Sequence, residues 1–230
     1  IKIAANLYPA ENPAGWVVFS HMMPATKESW GDLAKTLQGI GYGGIAIDLR
    51  GHGESTKGKN EKGEEISLDY KNFSDADHQK SILDLEAAVE YLINEHKATP
   101  DKIIFVGASI GANLSLEYIS NPAFGEARLD GRPAFGGTAA ILLSPGLNYR
   151  GIKTEPMVKN LTANQRVFFV SAKDDTGRSD GNNADQTQKL YDLTPDGVNK
   201  KIQIYETGGH GTDILKNRPE LANLVINFIK

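Results

Sequence analysis

The sequence predicts an α/β fold built around a largely parallel sheet. Three observations predict it. Short apolar runs alternate with segments of helical periodicity. The runs are almost continuously apolar, as strands covered on both faces must be. The 230 residues suit one domain of this kind, long enough to bury a sizeable core. A single domain over residues 1–230 is therefore expected.

The expected strands follow in order. Residues 1–8 read as an antiparallel edge strand. Residues 16–20 (WVVFS), 45–49 (IAIDL) and 103–107 (IIFVG) read as buried strands, then 139–144 (AAILLS), 167–171 (VFFVS) and 201–205 (KIQIY). Helices fit between them. Leu33, Leu37 and Ile40 share one face before Gly41 stops the turn. Ile82, Leu85, Val89, Leu92 and Ile93 form a longer stripe over residues 75–96. Residues 109–119 are apolar at helical spacing and end before Asn121-Pro122. Pro219 opens a last helix with Leu221, Leu224, Val225 and Phe228 facing inward. Two long loops, 51–74 and 173 to about 185, follow strands and so belong at the carboxyl edge, where ligands bind.

Composition excludes several functions. The formal net charge is -4, and no run of Lys or Arg suggests a nucleic-acid or membrane surface. The absence of cysteine removes disulfides, thiolate metal sites and a cysteine nucleophile. No apolar stretch approaches the roughly 18 residues of a membrane span. The chain begins at Ile1 rather than Met, so a cytoplasmic location and export after removal of a leader both stay open.

Gly107-Ala108-Ser109-Ile110-Gly111 matches G-x-S-x-G, directly after a strand and at the start of an apolar helix. A serine on so sharp a turn exposes its hydroxyl above the sheet, and side chains at the flanking glycines would collide. The helix behind Ser109 points its positive end at a developing oxyanion. A plain Gly-rich turn with an N-capping serine would give the same letters without chemistry. The strand-to-helix junction argues for a nucleophile.

Serine needs a base. His210, in Gly208-Gly209-His210-Gly211 after a late strand, can reach a serine above the sheet. His78 and His96 lie in a helical segment and read as surface residues. His52 sits in the loop 48–55, and His21 is expected to brace the loop after the first central strand. The acid should lie between nucleophile and base, past a strand end. Asp174 and Asp175 both fit, one as the partner of His210 and the other as a turn residue. The two oxyanion donors are expected to be the backbone N–H groups of Ile110 and of Met23, with Met22 as the second choice. Met22, Leu147 and Tyr149 are candidate walls of a substrate pocket.

These residues resemble the α/β-hydrolase superfamily, over nearly the whole chain. SHMMPATKESW looks like the family's oxyanion loop, with Met22 where a glycine is usual. GYGGIAIDLRGHGES resembles its fourth-strand segment, GASIGA its nucleophile elbow, VSAKDD its acid loop and GGHGTD its base loop. Counting along the acid pattern G-x-x-D, with Ala172 in the glycine place, lands on Asp175. The resemblance implies about eight strands in a mostly parallel sheet flanked by helices. It implies a serine hydrolase similar to small bacterial carboxylesterases, cleaving small carboxylic esters through an acyl-enzyme without cofactor or metal. Relatives with Asp or Cys at the elbow, the dehalogenases and dienelactone hydrolases, do not fit Ser109. Only about 22 residues separate Ser144 from Val167, room for a loop and one short helix and so for little or no cap. The same triad would serve a thioesterase or peptidase, and the fold also occurs in non-catalytic binding proteins. Oligomeric state is left open.

Overall fold

A computed structural model describes residues 1–121, 138–176 and 181–230. Eleven strands occur among them. In chain order they are β1 (Ala5–Tyr8), β2 (Trp16–Ser20), β3 (Gly43–Ile47), β4 (Lys57–Lys59), β5 (Glu65–Ser67), β6 (Ile103–Ala108), β7 (Ala139–Leu143), β8 (Asn148–Tyr149), β9 (Ile152–Lys153), β10 (Arg166–Ala172) and β11 (Asn199–Tyr205). Seven form one sheet in the order β1-β3-β2-β6-β7-β10-β11. Only β1 runs antiparallel to its neighbour. The described sheet thus has seven strands where the resemblance implied about eight. The other four strands make two small hairpins, β4–β5 and β8–β9.

The central strands are buried on both faces, and their residues alternate between two cores. Trp16, Val18, Phe105 and Leu142 pack with α3 (Ile82–His96) and α4 (Ile110–Ser120). Val17, Phe19, Val106 and Ile141 pack on the other face with Leu33 and Leu37 of α1 (Gly31–Gln38) and with Val225 and Phe228 of the last helix, Leu221–Ile229. This two-sided burial is why the strands read as unbroken apolar runs.

Strand order reverses between β2 and β6. The chain leaves β2 for one side of the sheet and returns at β6 to build the other. The loops after these two strands therefore diverge and leave a crevice at their carboxyl ends, where ligands bind in such folds. His21 to Met23 follow β2, and Ser109 follows β6.

Several elements differ from expectation. The helix expected over 75–96 is two, α2 (Asp75–Gln79) and α3. Ser81 N–H bonds to His78 O and Asp84 N–H to Ser81 O, a three-residue spacing that replaces the α-helical bonds at the break. The loop 51–74 contains the β4–β5 hairpin. Between β7 and β10 lie the β8–β9 hairpin and a short helix, Thr154–Lys159, which packs down on α4 and on the helix Asn183–Leu193. The expected stop at Pro122 and part of the loop after residue 173 lie outside the described residues.

Candidate active site

Ser109 is the residue between β6 and α4, with φ 55° and ψ -119°. A non-glycine residue held there stores about 1–3 kcal/mol of strain, a feature that clusters at functional sites. Its N–H donates to Leu143 O at 2.8 Å, and its carbonyl accepts from Asn113 N–H. Its side chain makes no capping bond to the helix it opens, so helix capping does not account for a serine here. Both flanking glycines are required. A Cβ on Gly107 would lie 2.2 Å from Gly111 O, and one on Gly111 would lie 2.3 Å from Ser20 O. The elbow is pressed backbone-to-backbone against the end of β2.

Asp175 and His210 meet across the loops after β10 and β11. Asp175 Oδ2 lies 2.5 Å from His210 Nδ1. Asp175 is 7% exposed and Ser109 5%. Gly211, next to His210, turns at φ 57°, and a Cβ on it would lie 3.4 Å from Ala108 Cβ and 2.6 Å from Met22 Sδ. The histidine loop is thus seated against the residue preceding Ser109.

Asp174 turns the other way. Its carboxylate accepts from Gly208 N–H at 2.9 Å and from Gly209 N–H at 3.0 Å. The Gly209 N–H, with the further help of the Gly208 N–H, holds it below the usual carboxylate range against the opposing effect of burial. The same loop is held elsewhere. Asn217 donates to Gly208 O, Arg218 bonds to Thr207, and Gly211 N–H donates to Ser144 Oγ.

The backbone N–H groups of Met22, Met23 and Ile110 donate to no other described residue. For Ile110 this follows from its place in the first turn of α4. Met23 packs on the core that contains Ile110, and Met22 on the opposite core, beside Gly211. His21 fixes this loop. It is fully buried, its Nε2 accepts from Leu49 N–H at 3.0 Å, and its Nδ1 donates to Met22 O at 2.9 Å. Burial first, then the neighbouring His52, lowers its pKa to about 4, so it is neutral near pH 7.

Other residues sit differently from expectation. His78 is buried against Phe73, and His96 packs on Trp16 and Tyr91, so neither is a free surface residue. His52 is buried and stacked on Tyr70. Leu147 is half-buried. Tyr149, expected as a pocket wall, is only 6% exposed, and its hydroxyl is engaged by Ser144 O and Asn183 Nδ2. Packing under the loop after β7 takes its ring away from the surface: a Cβ on Gly146 would lie 2.3 Å from the ring.

Sequence reading missed the parts played by Ser144, Asn183 and Asn217. Ser144 carried the one available signal, a polar residue in Ser-Pro-Gly at a strand end. A cleft of about 620 Å³ beside Ile1, Lys57 and Ile66 shares no lining residue with this site. Among the described residues, no group of three His, Asp or Glu could hold a metal ion, and no helix is long and apolar enough to cross a membrane.

A fold with helices on both faces of this sheet and a strained serine at the switch point defines an α/β hydrolase architecture. Residues 15–123, a stretch that includes Ser109, match the family described as alpha/beta hydrolase fold. The chain has the α/β-hydrolase fold, and over the matched stretch its sequence is similar to that family. Solved structures agree on the fold. An esterase from Pyrococcus furiosus superposes with a TM-score of 0.68 at 16% identity, over 99% of this chain and 91% of that one. A dienelactone hydrolase from Anabaena variabilis ATCC 29413 gives 0.67 at 16%, over 99% and 91%. An esterase from Exiguobacterium antarcticum gives 0.65 at 12%, over 99% and 95%. No curated protein matches the sequence.

Proposed function

We propose that the protein, as a single domain over residues 1–230, is a serine hydrolase that cleaves small carboxylic esters. One observation carries this reading: Asp175 pairs at 2.5 Å with His210, whose loop is seated against the strained elbow of Ser109. Ser109 attacks the ester carbonyl while His210 takes its proton. His210 then protonates the leaving alcohol, and water activated by His210 releases the acid. Asp175 fixes the imidazole tautomer and stabilises its cation. The N–H groups of Ile110 and Met23 receive the oxyanion, at the positive end of α4. These steps need no cofactor or metal.

Met22 and Leu147, both half-buried, are the residues we assign to the pocket wall. Two of the similar folds are those of esterases, which makes esters the first substrates to try. The test is turnover of p-nitrophenyl acetate beside a matched thioester and anilide. Ester hydrolysis by wild type that Ser109→Ala lacks supports the reading. Hydrolysis of the thioester or anilide alone would move it to a thioesterase or peptidase.

A further inference from the structure

Three residues around the acid and base have burial and geometry that ordinary packing does not demand. Ser144 follows β7 at φ 50°, a conformation that costs a non-glycine residue about 1–2 kcal/mol. Glycine would sit there without strain. What serine adds is a hydroxyl, which accepts from Gly211 N–H at 2.9 Å. Asn183 is fully buried at the start of the helix Asn183–Leu193, where an apolar residue would cost less to desolvate. Its amide nitrogen donates to Tyr149 Oη at 3.0 Å and to Pro145 O at 2.8 Å. Its backbone N–H donates to Asp175 O at 3.1 Å. Tyr149 passes the connection on by donating to Ser144 O at 3.3 Å.

These contacts close on themselves. From Asp175 O the path runs through Asn183, Tyr149 and Ser144 to Gly211, then through His210 Nδ1 back to Asp175 Oδ2. The acid and base stand on separate loops, and their own hydrogen bond does not orient either backbone. The ring does, because it holds the backbone of both from one buried cluster.

We propose that Ser144, Tyr149 and Asn183 are positioning residues that set the separation and orientation of Asp175 and His210. The proposal rests on the triad reading above. The alternative is that these groups merely satisfy one another in the core. Thr154 provides the control: it is equally buried, and its hydroxyl bonds to Gly146 O at 2.7 Å, but it stands outside the ring.

The experiment is proton NMR of the full chain, following the far-downfield imidazole N–H resonance that His210→Ala removes. Wild type is compared with Tyr149→Phe, Ser144→Ala and Thr154→Val. The resonance should move upfield or broaden away in the first two variants and stay in place in Thr154→Val. In parallel, kcat on p-nitrophenyl acetate should fall about tenfold in the first two, with KM unchanged. If Ser144→Ala does not fold, Tyr149→Phe carries the comparison, since it deletes one oxygen. No such resonance in wild type, or the same resonance in all folded variants, overturns the proposal. A resonance that responds as stated in a protein without Ser109-dependent turnover would keep the ring and discard the hydrolase reading.

Discussion

The carboxylate of Asp175 lies 2.5 Å from His210 Nδ1, while that of Asp174, one residue earlier, grips the backbone N–H groups of Gly208 and Gly209. Adjacent acids thus hold one loop in two ways. Asn at 175 keeps the shape but loses the charge that supports an imidazolium. We expect Asp175→Asn to lower kcat by roughly three to four orders of magnitude. Asp174→Asn keeps an acceptor for the same N–H groups and should cost at most about tenfold. Steady-state kinetics with circular dichroism decide this. The reverse ranking would make Asp174 the acid.

The glycines of the site should differ sharply in tolerance. A Cβ at position 107 or 111 meets backbone oxygens that cannot yield. Gly107→Ala and Gly111→Ala should each cost about 3 kcal/mol or more and abolish turnover. A Cβ at position 211 meets chiefly the end of the Met22 side chain, which can move. Gly211→Ala should cost only about 1–2 kcal/mol, the penalty of its left-handed backbone. Urea denaturation of the three variants checks the order.

His21 should make the protein sensitive to acid. Its folded pKa, about 4, lies below the ordinary value of 6.5. The unfolded chain therefore takes up this proton first as pH falls. The stability contributed by neutral His21 is complete above pH 6.5, is lost between 6.5 and about 4, and does not change further below that. The loss is on the order of 3 kcal/mol. His21→Gln removes this dependence, so the gap between the urea midpoints of wild type and variant should narrow from pH 7 to pH 4. A constant gap would show that His21 does not titrate as described.

Short acyl chains should be preferred. The segment between β7 and β10 packs onto the helices beside the sheet and builds no separate cap. Across p-nitrophenyl esters, kcat/KM should be greatest from acetyl to butyryl and at least about tenfold lower by decanoyl. A steady rise with chain length would contradict this.

The sequence showed the sheet well because its strands are covered on both faces, which makes runs such as WVVFS and VFFVS unmistakable. It showed the residues of the candidate site through local punctuation: glycines around Ser109 and His210 mark turns that side chains would obstruct. What it hid has a common cause. The helix Asn183–Leu193 buries Asn183, Gln186 and Thr187 along with Ala184 and Leu190, so no apolar stripe announces it. The ring through Tyr149 and Ser144 joins residues far apart in the chain through polar contacts, which leave no period to read. His78 looked exposed because its burial against Phe73 depends on how the loop 51–74 folds back. The choice between Asp174 and Asp175 needed the actual end of β10, which periodicity does not locate to one residue.

The most direct measurement is reaction with a fluorophosphonate, followed by mass spectrometry of the labelled peptide. Wild type should carry one adduct, on Ser109. Ser109→Ala should carry none, and His210→Ala should label at least about a hundredfold more slowly, because the hydroxyl has lost its base. An adduct on another residue, or wild-type ester turnover by Ser109→Ala, would contradict the assignment of Ser109 as the nucleophile.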